Sequence, residues 1–224
     1  MLSIKKAGYS GILIPELGIG MDYSGDQASF IFISHAHADH MPRKKGMNVF
    51  ATAATAKLMK LRGFNDPVTI LPFGTPFETA EFRVTFYPAG HIIGSALTLI
   101  ESDEGNILYT GDYRRPPSPA TEGFELPDVS IDHFITEATF ALPIYKWKPH
   151  QALKQQVLHF ADEALQNEYT PIFQAYNLGK AQELMYWLKD LDHPMQIHGA
   201  GYKLCSVYEE FGFELGNYST YDRA

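Results

Sequence analysis

The chain has 224 residues, 45% of them hydrophobic, a formal net charge of −8 and one cysteine, Cys205. That is enough apolar material for one large domain, or for one domain with part of another. A lone cysteine excludes a disulfide framework and disfavours zinc held by thiolates, and the acidic balance disfavours general nucleic-acid affinity. The charge is uneven. Residues 1–120 carry 11 basic and 11 acidic side chains, whereas residues 121–224 carry 7 and 15. Lys5 and Lys6 are followed by a stretch broken by Pro15 and Glu16, so neither a leader nor a membrane span is expected. A soluble cytoplasmic protein in a reducing compartment is the expectation.

In chain order, Gly11 to Ile14 reads as a strand, Gly18-Ile19-Gly20 as loop, and Asp22 precedes a polar turn. Asp22 could support a site or simply serve the turn. Phe30 to Ile33 reads as a buried strand. It delivers Ser34-His35-Ala36-His37-Ala38-Asp39-His40, three imidazoles and a carboxylate leaving one strand end together. Folding asks for nothing of the kind; divalent metal binding does. In extended chain, residues i and i+2 share a side, so His35 and His37 can grip one ion while Asp39 and His40 face another. Met41-Pro42 suits the first turn of a short helix. Asn48 to Ala51 reads as a strand, and Thr52 as the cap of a helix to Arg62 closed by Gly63.

Val68 to Leu71 and Phe82 to Tyr87 read as strands. The second leads to Pro88-Ala89-Gly90-His91, whose histidine is either a third imidazole for the first ion or a loop residue. Ala96 to Ile100 and Asn106 to Thr110 read as a hairpin ending in Gly111-Asp112. Asp112 is either a carboxylate shared by two ions or a loop residue. A Pro-rich loop covers 114–130, and His133 to Thr136 is a strand ending at Glu137.

From about residue 150 the texture changes to helix and strand in alternation. A helix is expected from Pro149 or His150 to Gln166, a strand over 170–176, a helix opening at Asn177 to Lys180, a short strand at 195–198, and a helix from Tyr202 to Phe211. Gly179-Lys180 is not a P-loop, because Gln174 and Ala181 stand where that motif needs Gly and Ser or Thr. Lys180 at a helix start could still meet a phosphate, or be solvated. Arg114, just after Asp112, has the same two readings. His133, His150, His159, His193 and His198 read as structural or surface residues.

The strand-end groups together propose His35, His37 and His91 on one ion, Asp39 and His40 on a second, and Asp112 between them. Such a pair would generate hydroxide near neutral pH and stabilise both oxygens of a displacement, so the expected reaction is metal-assisted hydrolysis.

Ser-His-Ala-His-Ala-Asp-His resembles the motif of the metallo-β-lactamase superfamily. Pro-Ala-Gly-His-Ile-Ile-Gly-Ser-Ala, Tyr-Thr-Gly-Asp-Tyr and Thr-Glu-Ala-Thr-Phe, with Ala-Tyr-Asn-Leu-Gly-Lys-Ala-Gln-Glu-Leu later, resemble its β-CASP nuclease branch. Within it they look most like mRNA 3′-end processing factors and the exonuclease-like proteins associated with bacterial DNA ligase. The resemblance implies an α/β (α+β) fold: an αββα sandwich over 1–148, with a partial β-CASP-like α/β insert over 149–224. It implies two zinc ions, with manganese as the other metal, and phosphodiester hydrolysis in DNA or RNA. Asp39 and Glu137 would serve catalysis, Asp22 would support the metal ligands from behind, and Glu137 would orient a ligand histidine. Arg114 and Lys180 would meet substrate phosphate. Association with a DNA ligase or a helicase follows from the same resemblance. The family's later histidine segment does not occur in these 224 residues, so the second metal position is expected to be incomplete. The competing expectations are a thioester or lactone hydrolase of the same superfamily, and an inactive metal-binding subunit.

Overall fold

In the computed structural model, which describes residues 2–8 and 10–221, the apolar run at Phe30 becomes an interior strand. It lies in a six-stranded sheet ordered along the chain: β1 (Lys5–Ala7), β2 (Gly11–Ile14), β3 (Ile19–Met21), β4 (Phe30–Phe32), β5 (Val49–Ala51) and β6 (Val68–Ile70). The first three pair antiparallel, and β3 through β6 run parallel. A second sheet has the order β11-β10-β9-β8-β7, from β7 (Phe77–Glu78), β8 (Phe82–Pro88), β9 (Ala96–Ser102), β10 (Gly105–Tyr109) and β11 (His133–Ile135).

The sheets share one core. Ile19, Met21, Phe32 and Phe50 of the first meet Val84, Phe86, Ile100 and Ile107 of the second, all buried. Phe32 stacks on Phe50 at 5.0 Å and meets Phe86 edge-on at 6.1 Å. Each such ring stabilises by about 1.5–3 kcal/mol through burial alone. The other side of the second sheet, with Leu97, Leu99 and Leu108, is covered by Phe124 from the Pro-rich loop and by Ile131 just after it.

Strand direction positions the site. β3 and β4 are parallel, so their C-terminal ends share one edge of the first sheet. β8 and β10 both run antiparallel to β9, and β11 runs parallel to β10, so these three also end at one edge of theirs. Asp22, residues 34–40, His91, Asp112 and Glu137 follow those five ends. Helix α1 (Ala53–Leu61) starts where expected. Thr52 caps it by accepting from the Thr55 N–H at 3.3 Å, and Ala54, Leu58 and Met59 form its buried face.

Three expectations are corrected. Residues 18–20 are not all loop, because Ile19–Met21 is paired on both sides, to β2 and to β4. Gly20 lies under the Tyr23 ring, where a Cβ would come within 2.6 Å of the Tyr23 side chain. No helix follows Met41-Pro42. There the N–H of Arg43 donates to Ser24 Oγ and that of Gly46 to the Asp66 carboxylate, so the backbone is satisfied sideways by other loops. Residues 170–176 are not a strand, since no described strand hydrogen-bonds to them.

The chain forms two compact units, Met1–Glu137 and Ala138–Ala224. The second holds α2 (His150–Gln166), α3 (Lys180–Leu188), β12 (Met195–Ile197), α4 (Gly199–Glu210) and β13 (Tyr218–Thr220), which pairs parallel with β12. Met185, Leu188, Leu204, Cys205 and Val207 are buried within it. Burial pushes the Cys205 thiol up to about 11, which keeps it an unreactive core group. No helix among the described residues is long and apolar enough to cross a membrane.

Candidate metal centre

His35 and His37 leave the end of β4 two residues apart, and their rings meet at right angles, 4.8 Å between centroids. His35 Nε2 lies 3.0 Å from His37 Nδ1, and His91 Nε2 lies 3.2 Å from the same Nδ1. The Asp112 carboxylate stands 3.8 Å from His35 Nε2 and 3.7 Å from His91 Nε2. One donor atom from each of these four residues lies within 4.8 Å of all the others. Two ligand atoms bound tetrahedrally to one zinc at about 2.0–2.1 Å stand roughly 3.3 Å apart, so this donor set fits a single ion.

The second part of the cluster adjoins the first. His40 Nε2 is 3.5 Å from the other oxygen of Asp112 and 3.6 Å from Asp39. Asp112 thus turns one oxygen toward each group, the arrangement expected of a shared carboxylate. Asp39 is the open member, with 48% of its side chain exposed.

Behind these groups lies a buried network around Asp22. One carboxylate accepts the Ser34 backbone N–H at 2.7 Å, the Ser34 hydroxyl at 2.6 Å, the Tyr109 hydroxyl at 2.7 Å and His40 Nδ1–H at 2.7 Å. A carboxylate in this position can only accept, so the His40 proton sits on Nδ1 and its Nε2 lone pair faces Asp39 and Asp112. Ser34 Oγ gives its own proton to Asp22, and so takes one from His35 Nδ1 at 2.9 Å. That leaves His35 Nε2 as the free donor atom. Asp22 is thus bonded directly to His40 and, through Ser34, to His35.

Electrostatics follow from burial. Desolvation holds the His35 imidazole well below its usual range, helped by the neighbouring rings of His40, His91 and His37. For His40, burial also pulls downward, but the bond to Asp22 and the charges of Asp22, Asp112 and Asp39 outweigh it, so its pKa is raised. Burial lifts the Asp112 carboxyl to about 6; His40 opposes this, while Glu137, Asp39 and Asp22 add to it. A crowd of imidazoles and carboxylates that strain one another's charges is the environment a divalent cation relieves.

Glu137 accepts the Tyr113 N–H at 3.4 Å and acts on Asp112 through its charge. Arg114 lies in the loop after Asp112, and its backbone N–H donates to Ala89 O, tying that loop to the approach to His91. Lys180 belongs to the other unit, at the first turn of α3, with its Nζ 3.1 Å from the Glu183 carboxylate. His198 caps α4, its Nδ1 accepting from the Ala200 N–H at 3.3 Å.

Five residues take roles here that the sequence reading does not assign. Ser34 and Tyr109 hold Asp22, as described. Thr52 and Thr55 both donate to Gly94 O, at 2.7 and 2.9 Å, and both Glu122 oxygens accept the Gly94 N–H at 3.0 Å. Gly94 has φ +75, and a Cβ there would come within 2.7 Å of Thr52 Oγ1. This clamp anchors the turn that carries His91, whose own N–H donates to Ser95 Oγ. The only signal for it in the sequence is the glycine three residues after the histidine.

No protein-family model matches the chain. It is 36% identical over 217 residues to a protein of Opitutus terrae named "Probable DNA ligase", covering 96% of this chain and 21% of that one. It is 27% identical over 209 residues to an "RNase J-like protein" of Methanocaldococcus jannaschii, covering 81% of this chain and 50% of the relative. The chain thus spans half or less of the length of these two relatives. A crystal structure of an Enterococcus faecalis V583 protein of unknown function superposes with a TM-score of 0.62 at 16% identity, covering 87% of this chain and 52% of the other. That likeness concerns the fold.

Proposed function

The chain belongs to the β-CASP branch of the metallo-β-lactamase superfamily, and from that premise we propose that it forms the hydrolytic centre of a metal-dependent nuclease cleaving phosphodiester bonds of DNA or RNA. The observation that carries this reading is the convergence of His35, His37, His91 and Asp112 donor atoms within 4.8 Å. Two facing sheets with one core support the αββα sandwich for the first unit, and the helix-rich second unit supports a partial β-CASP-like insert. The RNase J-like relative supports nucleic acid as the substrate.

His35, His37, His91 and Asp112 would hold one cation, and Asp39, His40 and the second Asp112 oxygen another. Zinc or manganese bound there would supply an acidified water and charge stabilisation for the phosphate oxygens. The chain's own residues do the positioning. Asp22 and Ser34 fix which nitrogen of His40 and His35 carries the proton, so neither ring reorganises when the site is used. Asp39, on the open side, is the carboxylate reachable by the attacking water's proton. Glu137 adds its negative charge to the upward pull that burial exerts on the Asp112 carboxyl. Arg114 would supply positive charge beside the site for a substrate phosphate, and Lys180, which pairs with Glu183 at the start of α3, would meet phosphate only within the second unit.

The test measures metal per chain, and cleavage of end-labelled DNA and RNA with added zinc or manganese, for the wild type and His35→Ala. Metal-dependent cleavage that His35→Ala abolishes supports the proposal. If neither this chain nor a longer polypeptide containing it cleaves either nucleic acid, while thioesters or lactones are hydrolysed, the nuclease reading fails.

A further inference from the structure

We propose that residues 138–149 form a platform for single-stranded nucleic acid, on which Phe140, Tyr145 and Trp147 stack bases while Lys146 and Lys148 meet phosphates. The proposal rests on the nucleic-acid reading above, and adds to it a binding site outside the metal-ligating set.

Two turns build the platform. The Ala141 N–H donates to Ala138 O at 3.2 Å and the Tyr145 N–H to Leu142 O at 3.1 Å. Pro143 holds the second position of the latter turn, where its fixed φ is suited. The folded-back segment sets Phe140 edge-on against both Tyr145 and Trp147, each at 5.2 Å between centroids. Rings that pack on one another this way usually do so inside a core. Here they face solvent: Phe140 is 57% exposed and Trp147 66%, and Leu142 and Ile144 beside them are exposed as well. A contiguous exposed apolar patch marks a binding surface.

Charge selects the occupant. From Ala138 to Ala161 there is no aspartate or glutamate, although residues 121–224 hold 15 carboxylates. Lys146, Lys148 and Lys154 fall in that acid-free stretch, the first two alternating with Tyr145 and Trp147. An apolar protein partner has no use for ammonium groups between the rings. A nucleic-acid strand does, since every base offers a face to stack and every linkage a phosphate. A duplex keeps its bases stacked inside, so the platform favours unpaired nucleotides.

The experiment uses the Trp187→Phe chain, in which Trp147 is the one remaining tryptophan. Short oligothymidine and oligouridine are titrated in EDTA, which prevents cleavage. Fluorescence anisotropy of the labelled strand reports total binding, and Trp147 emission reports stacking. Single strands are expected to quench Trp147, with a duplex of the same length quenching far less. Phe140→Ala and Trp147→Ala should each weaken binding at least about fivefold, and Trp147→Phe should retain it. Lys146→Gln with Lys148→Gln should flatten the salt dependence. The two single strands compared tell whether DNA or RNA is preferred. If strands bind by anisotropy while Trp147 emission and the alanine variants are unaffected, the platform is wrong and the nucleic-acid reading stands. If no strand binds, the platform is wrong, and the cleavage assay above decides the nuclease reading separately. Quenching that grows with protein concentration alone would assign the patch to a second copy of the chain and overturn the proposal.

Discussion

The two units treat their apolar side chains in opposite ways. In the first, Phe32, Phe86, Ile100 and Ile107 are fully buried between two sheets, and polar side chains gather at the strand ends, where they pair with one another. In the second, a smaller core around Met185, Leu204 and Cys205 coexists with Phe140, Trp147, Ile172 and Tyr176 facing solvent. On the readings proposed above, the difference separates two tasks. Holding several donor atoms within ångströms needs a rigid scaffold, because a shift of one ångström undoes the site. Capturing a long flexible ligand needs accessible surface, which a fully covered core does not provide.

Five changes break or sharpen that contrast. His35→Ala removes a buried donor atom, and metal per chain should fall to background in elemental analysis with cleavage lost altogether. Oligonucleotide quenching at Trp147 should persist, and its loss would mean that the two units do not act separately. Phe86→Ala opens a cavity between the sheets and should destabilise the first unit by about 3–5 kcal/mol in chemical denaturation.

Asp22→Asn offers an amide where four donors converge. It should cost about 1–3 kcal/mol of stability and weaken metal binding about 10–100-fold by calorimetry. A variant with unchanged metal affinity would reduce Asp22 to a purely structural role.

Asp112→Asn separates ligand from scaffold. Burial raises its carboxyl from 3.8 to about 6, so between those values the folded chain keeps a proton that the unfolded chain releases. Stability of the metal-free protein from this group therefore falls as pH rises from 3.8 through 6. Above pH 6 the metal-free asparagine variant should be the more stable by roughly 1–2 kcal/mol, after discounting for partial exposure, and below about pH 3.8 the two should coincide. With zinc present the order should reverse, because the wild type gains a ligand the variant lacks. The smallest effect is expected for Ile172→Ser. This side chain is 83% exposed, and its replacement should shift stability by less than about 0.5 kcal/mol. A larger loss would show that its surface is covered in solution.

Whatever depends on neighbours close in the chain is legible in the residues themselves. Helix α2 over 150–166 follows from periodicity, and the start of α1 from a threonine that caps its own third following residue. The donors at 35, 37, 39, 40, 91 and 112 stand out because imidazoles and carboxylates sit where strands end. The exposed rings after Glu137 need the folded chain to be seen, since as letters they look like any apolar strand. So do the strand at Ile19–Met21 and the missing strand at 170–176, because a strand exists only when another segment meets its hydrogen bonds. The same reason hides the bonds behind the candidate metal centre. Asp22 and Tyr109 are 87 residues apart in sequence and 2.7 Å apart in the fold, and Thr52 and Thr55 clamp a glycine about forty positions away. The donor types are local chemistry written in the chain, whereas the bonds between Asp22 and Tyr109 and from Thr52 and Thr55 to Gly94 are long-range, and only tertiary packing decides those.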